Sequence, residues 1–142
     1  MTDMQHSMAS AQPMLHDENR KKKILVIDDD QSVRRLLEKI IERAGFLVEC
    51  AVDGGDGIQR IGAAGDGGFD LIILDLMMPN ISGFDVIEHL STHHPDNLRK
   101  IIVLTAQPRV SDERIKRNLI RNVIQKPFDI HELTAYLKSC FE

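Results

Sequence analysis

The sequence predicts an α/β protein, a doubly wound parallel sheet of five strands with five helices in a (βα)5 order. Short apolar runs recur at 24–27 (ILVI), 46–52 (FLVECAV), 71–74 (LIIL), 101–104 (IIVL) and 123–124 (VI). Three of these runs are continuous rather than alternating, as expected of strands covered on both faces. Amphipathic stretches separate the runs, and such alternation implies parallel strands joined by right-handed crossovers.

Along the chain, residues 1–20 are polar and small with scattered Met, and are expected to be a mobile tail. Residues 21–142 form the predicted domain. The basic run Arg20-Lys21-Lys22-Lys23 reads as a solvated entry to the first strand. The first helix follows from Val33, Leu36, Leu37, Ile40, Ile41 and Ala44, spaced for one helical face, with Arg34, Arg35, Glu38, Lys39 and Glu42 opposite. Gly45 stands where a helix ends. Further helices are expected at about 55–64, 84–93, 111–121 and 130–141. Gly57 and Gly62 weaken the first of these. The last opens on Asp129 as a cap, Glu132 as its capping-box partner, and Phe128 against Leu133 as a staple.

Composition narrows the functional classes. A chain of 142 residues with 42% hydrophobic and 28% charged residues suits one compact domain. A net charge of −4 argues against direct nucleic-acid binding. No apolar stretch reaches the roughly 18 residues of a membrane span, and no signal peptide is evident. Cys50 and Cys140 lack metal-ligand spacing, so a cytoplasmic protein with unpaired thiols is expected.

Ligands of open parallel sheets bind outside the carboxyl ends of the strands. The first run ends in Asp28-Asp29-Asp30, the third in Asp75, the fourth in Thr105 and the fifth in Gln125-Lys126. Those groups suit a hard divalent cation and a phosphoryl group. Mg²⁺ takes one or two carboxylates and a phosphate oxygen, Lys supplies charge, and Thr supplies a donor. Asp75 can itself be the nucleophile, giving an acyl phosphate.

At these residues the chain resembles the receiver domain of two-component response regulators, of the single-domain, CheY-like kind. The matching stretches are KILVIDDD (23–30), DLIILDLMMPNISGFDVI (70–87), IIVLTA (101–106) and QKPF (125–128). The resemblance implies a flavodoxin-like strand order 2-1-3-4-5. It implies that Asp75 is the phosphoacceptor and that Asp28, Asp29, Asp75 and the main-chain carbonyl of Met77 hold Mg²⁺ or Mn²⁺. Thr105 and Lys126 would contact the phosphoryl oxygens, and the Lys126–Pro127 bond would be cis. A sensor histidine kinase or phosphotransfer protein would be the donor, and a downstream protein the target. A homodimer would form through the face of the 111–121 helix, fifth strand and last helix. Asp30 matches no ligand position and is expected at the rim, near the start of the first helix.

The sequence departs from that pattern in places. Val123 replaces the usual aromatic three residues before the Lys, and Asn118-Leu119-Ile120-Arg121-Asn122 replaces the usual Gly-Ala. Met77 and Gln107, two residues beyond Asp75 and Thr105, carry no carboxylate, which implies no special acceleration of phosphoryl hydrolysis. The expected role is a signalling switch rather than an enzyme. The alternatives are a receiver fragment of a longer regulator, a phosphorylation-independent binding module, and a phosphatase of the haloacid dehalogenase type using Asp28 and Asp30. His89 and His93 are expected as surface histidines, and the glycine cluster 62–68 as a connector.

Overall fold

The computed structural model describes residues 20–65 and 67–142; the expected tail, up to residue 19, and Asp66 lie outside the described residues. Five strands run through the domain: β1 Lys23–Ile27, β2 Leu47–Ala51, β3 Leu71–Leu74, β4 Ile101–Thr105 and β5 Asn122–Gln125. They pair in parallel in the order β2-β1-β3-β4-β5. The α-helices are α1 Gln31–Arg43, α2 Gly54–Ala64, α3 Gly83–His93 and α4 Ile130–Ser139, with a 3₁₀ segment over Pro95–Lys100. The cis Lys126–Pro127 bond is present.

Alternation along each strand divides the core into two layers. Ile24, Val26, Leu71, Ile73, Ile102 and Leu104 point to the face covered by α1 (Leu37, Ile40, Ile41) and α4 (Leu133, Leu137). Leu25, Ile27, Ile72, Leu74 and Val103 point to the face covered by α2 (Ile61) and α3 (Val86, Ile87, Leu90). Burial of such side chains contributes about 1.5–3 kcal/mol each. Both faces being dry explains why the runs are continuously apolar.

Local signals set the helix ends. Asp30 caps α1, accepting from the backbone N–H of Ser32 and Val33. Gly45, at φ +97°, turns the chain after α1, a conformation costly for other residues. Asp129 caps α4 through the Glu132 N–H, and Ser82 and Asp85 form a reciprocal capping box at α3.

Helix α2 forms despite its glycines because the packing of Gly57 requires one. A Cβ there would stand 2.5 Å from Cδ1 of Ile27, a side chain wholly inside the core.

The segment expected as a helix over 111–121 is instead a succession of turns. Its buried residues explain the difference. Ile115 and Ile120 are inside, and half-buried Val110 packs on the same cluster. A five-residue step overshoots a full helical turn by about 140°, so a regular helix cannot bury all three. The chain responds with an Arg117 N–H to Asp112 C=O bond, five residues back, and with Lys116 at φ +52°. That leaves Leu119 more than half exposed.

The two glycines of α2 make opposite predictions. Gly57→Ala should lower stability in urea unfolding by about 1–3 kcal/mol through overpacking against Ile27. Gly62→Ala meets nothing closer than His94 Nε2 at 4.0 Å, so it should be neutral or raise stability by up to about 1 kcal/mol.

Candidate functional site

Asp28 and Asp75 leave the ends of the adjacent central strands β1 and β3, and backbone bonds extend the sheet one residue further. The Asp28 N–H donates to Ala51 and the Asp75 N–H to Ile27. Thr105 ends β4, and the Lys126 N–H donates to its carbonyl from beyond β5 at 2.7 Å. Asp28, Asp75 and Thr105 are the buried polar residues of the protein among the described residues. Burial of polar groups opposes folding unless they are satisfied. Their convergence on one edge makes that edge the candidate site.

The carboxylates of Asp28, Asp29 and Asp75 each place an oxygen within 4.8 Å of the others. Two ligands of one octahedral Mg²⁺, each at about 2.05 Å, stand roughly 2.9–4.1 Å apart. The cluster therefore fits such an ion with small side-chain adjustments. Asp29 is exposed, so the cluster is open to water on that side. Lys126 reaches in from the sheet edge, with Nζ 3.1 Å from Asp28 Oδ2 and 3.8 Å from Asp75 Oδ1. Three carboxylates and one ammonium leave a formal charge of −2 in the cluster.

That imbalance acts on Asp75. Burial, then the negative charge of Asp28, pushes its pKa up to about 6, while Lys126 and the Met77 N–H pull in the other direction. The Met77 N–H donates to Asp75 Oδ1 at 3.3 Å. Asp28 is held from several sides. Its Oδ1 accepts from the Asp30 N–H, and Arg34 donates to its carbonyl.

Thr105 Oγ1 accepts from the Gln107 N–H at 3.2 Å. Beside it lies a cavity of about 210 Å³ lined by Val110, Ile115, Val123 and Gln125 among others. Asp30 spends its carboxylate on the α1 cap, away from the acidic cluster, so a paired Asp28/Asp30 catalytic arrangement has no geometric support. His89 is half-buried and His93 exposed, with their rings 4.4 Å apart on α3. They lie toward the end of α3 opposite Gly83, which packs on the Asp75 backbone.

One side chain near the site gave no signal in the sequence. Arg114, within the turns that follow β4, lays its guanidinium 3.7 Å over the Phe84 ring. It borders a cleft of about 470 Å³ with Met77, Met78, Ser82, Phe84 and Gln107. Its position depends on the irregular 111–121 path, which residue spacing alone does not reveal.

This fold and this strand-end cluster define a class, and residues 24–138 match the response regulator receiver domain. The chain belongs to that family, whose members are signalling modules of two-component systems. Among curated relatives it is similar to the uncharacterized transcriptional regulatory protein YkoG of Bacillus subtilis (strain 168), with 32% identity over 117 residues, 82% of this chain and 49% of the relative. It is also similar to the transcriptional regulatory protein GltR of Pseudomonas aeruginosa, with 37% identity over 82% of this chain and 47% of the relative. The chain thus spans about half the length of the curated relatives it matches. Among solved structures, the response regulator protein TrrA of Thermotoga maritima, in complex with Mg(2+)-BeF, matches with 30% identity and a TM-score of 0.72. The match covers 84% of this chain and 99% of TrrA. The chemotaxis protein CheY4 of Vibrio cholerae has 25% identity and a TM-score of 0.72, over 86% of this chain and all of that one.

The raised pKa of Asp75 has a stability consequence whose sign is fixed. Between pH 4 and 6 the folded state binds the Asp75 proton more tightly than the unfolded chain does, so stability falls as pH rises through that window. Above about pH 7, without divalent metal, Asp75→Asn should be more stable than the unsubstituted protein by on the order of 2–3 kcal/mol. Below about pH 4 that advantage should vanish. Urea titrations of both proteins at pH 4 and pH 7.5 check this.

Proposed function

We propose that this receiver domain is a phosphorylation-dependent switch in which Asp75 accepts a phosphoryl group from a sensor histidine kinase or a phosphotransfer protein. The observation that carries the proposal is the placement of Asp75. It is buried 3.8 Å from Lys126 and within one cation's reach of Asp28 and Asp29. The similarity to a receiver solved in complex with Mg(2+)-BeF supports the same chemistry here.

Asp28, Asp29 and Asp75, with the main-chain carbonyl of Met77, would hold Mg²⁺ or Mn²⁺. Bound there, the cation supplies the positive charge that lets an anionic phosphoryl group approach an acidic site. A carboxylate oxygen of Asp75 forms a bond to phosphorus as the bond to the donor nitrogen breaks, and the electron pair leaves with the imidazole. Lys126, already poised between Asp28 and Asp75, transfers its contacts to the phosphoryl oxygens. Thr105 turns its hydroxyl from accepting the Gln107 N–H to donating to the phosphoryl group.

Both movements pull on the β4–β5 edge and the turns between those strands. The edge thereby has two arrangements that a partner can distinguish. The partners are a downstream protein target or a second copy of the chain on the face of residues 111–121, β5 and α4. The domain acts in the cytoplasm, with no membrane or direct nucleic-acid contact of its own and no turnover beyond its own phosphorylation and dephosphorylation. The chemistry is the same whether the receiver stands alone or belongs to a longer regulator.

Incubation with Mg²⁺ and acetyl phosphate, followed by intact-mass spectrometry, should give an adduct of about 80 Da. Asp75→Ala, and omission of divalent metal, should each abolish it. An adduct that persists in Asp75→Ala would place the chemistry elsewhere, and no adduct in the unsubstituted protein would favour a phosphorylation-independent binding module.

A further inference from the structure

We infer that Arg114 is a leaving-group contact that favours phosphodonors whose leaving group departs as an anion. This rests on Asp75 as phosphoacceptor and adds a donor-side subsite to it.

The cleft bordered by Arg114 is joined to the acceptor site by two hydrogen bonds. Met77, itself exposed, and Gln107 are part of its lining. The Met77 N–H donates to Asp75 Oδ1, and the Gln107 N–H donates to Thr105 Oγ1. A donor whose phosphorus faces Asp75 must project its leaving group outward, away from the buried strand ends, and this cleft flanks that route. Its volume of about 470 Å³ exceeds what a small acyl group fills. The remaining lining, Leu76, Met78, Ser82 and Phe84, is uncharged, so among the described residues Arg114 is the one charged side chain lining the cleft.

Arg114 is prepared for the task. It is exposed, has no carboxylate partner among the described residues, and is held by the face of Phe84 rather than by an ion pair. Stacking limits the side-chain freedom that would otherwise oppose contact with a ligand. Phe84 is itself fixed, being buried next to Gly83, where a Cβ would stand 2.6 Å from the Leu76 Cα. The irregular turns put the cation here, since Arg114 immediately precedes the buried Ile115 that anchors them.

In transfer from an acyl phosphate, the Asp75 oxygen bonds to phosphorus as the phosphorus–oxygen bond to the acyl group breaks. The electron pair stays on the departing carboxylate, with no proton needed. That growing charge is what a guanidinium stabilises. In transfer from phosphoramidate, the nitrogen departs as neutral ammonia, already carrying its protons, and Arg114 has nothing to stabilise.

The test compares the two donors at fixed Mg²⁺, pH and ionic strength, measuring the apparent second-order rate of Asp75 phosphorylation by intact mass. In Arg114→Gln, the acetyl phosphate rate should fall about three- to fivefold, the scale of an exposed charge pair. The phosphoramidate rate should stay within about twofold, and the unfolding midpoint should move by no more than about 5 °C, the scale of one exposed cation–π contact. Arg114→Lys, which keeps the charge without the planar stack on Phe84, should recover part of the acetyl phosphate rate. Equal losses with both donors, no loss with either, or failure of Lys to restore any of the rate would each overturn the assignment. No adduct from either donor in the unsubstituted protein would overturn the phosphoacceptor proposal, and the Arg114 assignment with it.

Discussion

Lys126 stands between Asp28 and Asp75, and the site's architecture turns on that contact. Two buried carboxylates on neighbouring central strands repel each other, and among the described residues only this ammonium lies within ion-pair distance of both. It comes from the far edge of the sheet, beyond β5. The contact therefore joins the least buried strand to the most buried acids. It is also incomplete, since one positive charge faces three negative ones and Asp75 remains reluctant to ionise. A site left short of positive charge at the carboxyl edge of a rigid sheet is suited to a cation and, with it, an anionic group. In the proposed reaction the phosphoryl group would take over contacts that Lys126 and Thr105 already make.

Much of this was legible in the residues because the physics there is local. Continuous runs such as LIIL are what a strand with two dry faces requires, and all five strands fall within a residue or two of their apolar runs. Once the strands are parallel, topology alone brings Asp28, Asp75, Thr105 and Lys126 to one edge. The caps at Asp30 and Asp129 sit where charge and helix start coincide. Asp30 proved to be a full N-cap rather than only a rim charge, and this separates it from its two neighbours in the DDD run.

What the sequence did not reveal lies between β4 and β5. The polar and apolar residues of 111–121 resemble an amphipathic helix, but the buried ones fall five apart, and tertiary packing overrides the local preference. Val123 adds to the difference by leaving a hollow beside Thr105 where an aromatic would fill space. The position of Arg114 follows from the same irregular path. The segment that departs most from the family pattern is thus also the one whose course residue spacing does not reveal.

The most direct test of the central claim, that this acidic cluster is organised around a divalent cation, is the thermal unfolding midpoint at pH 7.5 with chelator and with millimolar Mg²⁺. A ligand that binds only the folded state at about 100 times its Kd adds about 2.7 kcal/mol, so the midpoint should rise by several degrees. Asp29→Asn, which leaves the Lys126 contacts untouched, should lose most of that rise. A midpoint unchanged by Mg²⁺ in the unsubstituted protein, or an equal rise in Asp29→Asn, would contradict the account.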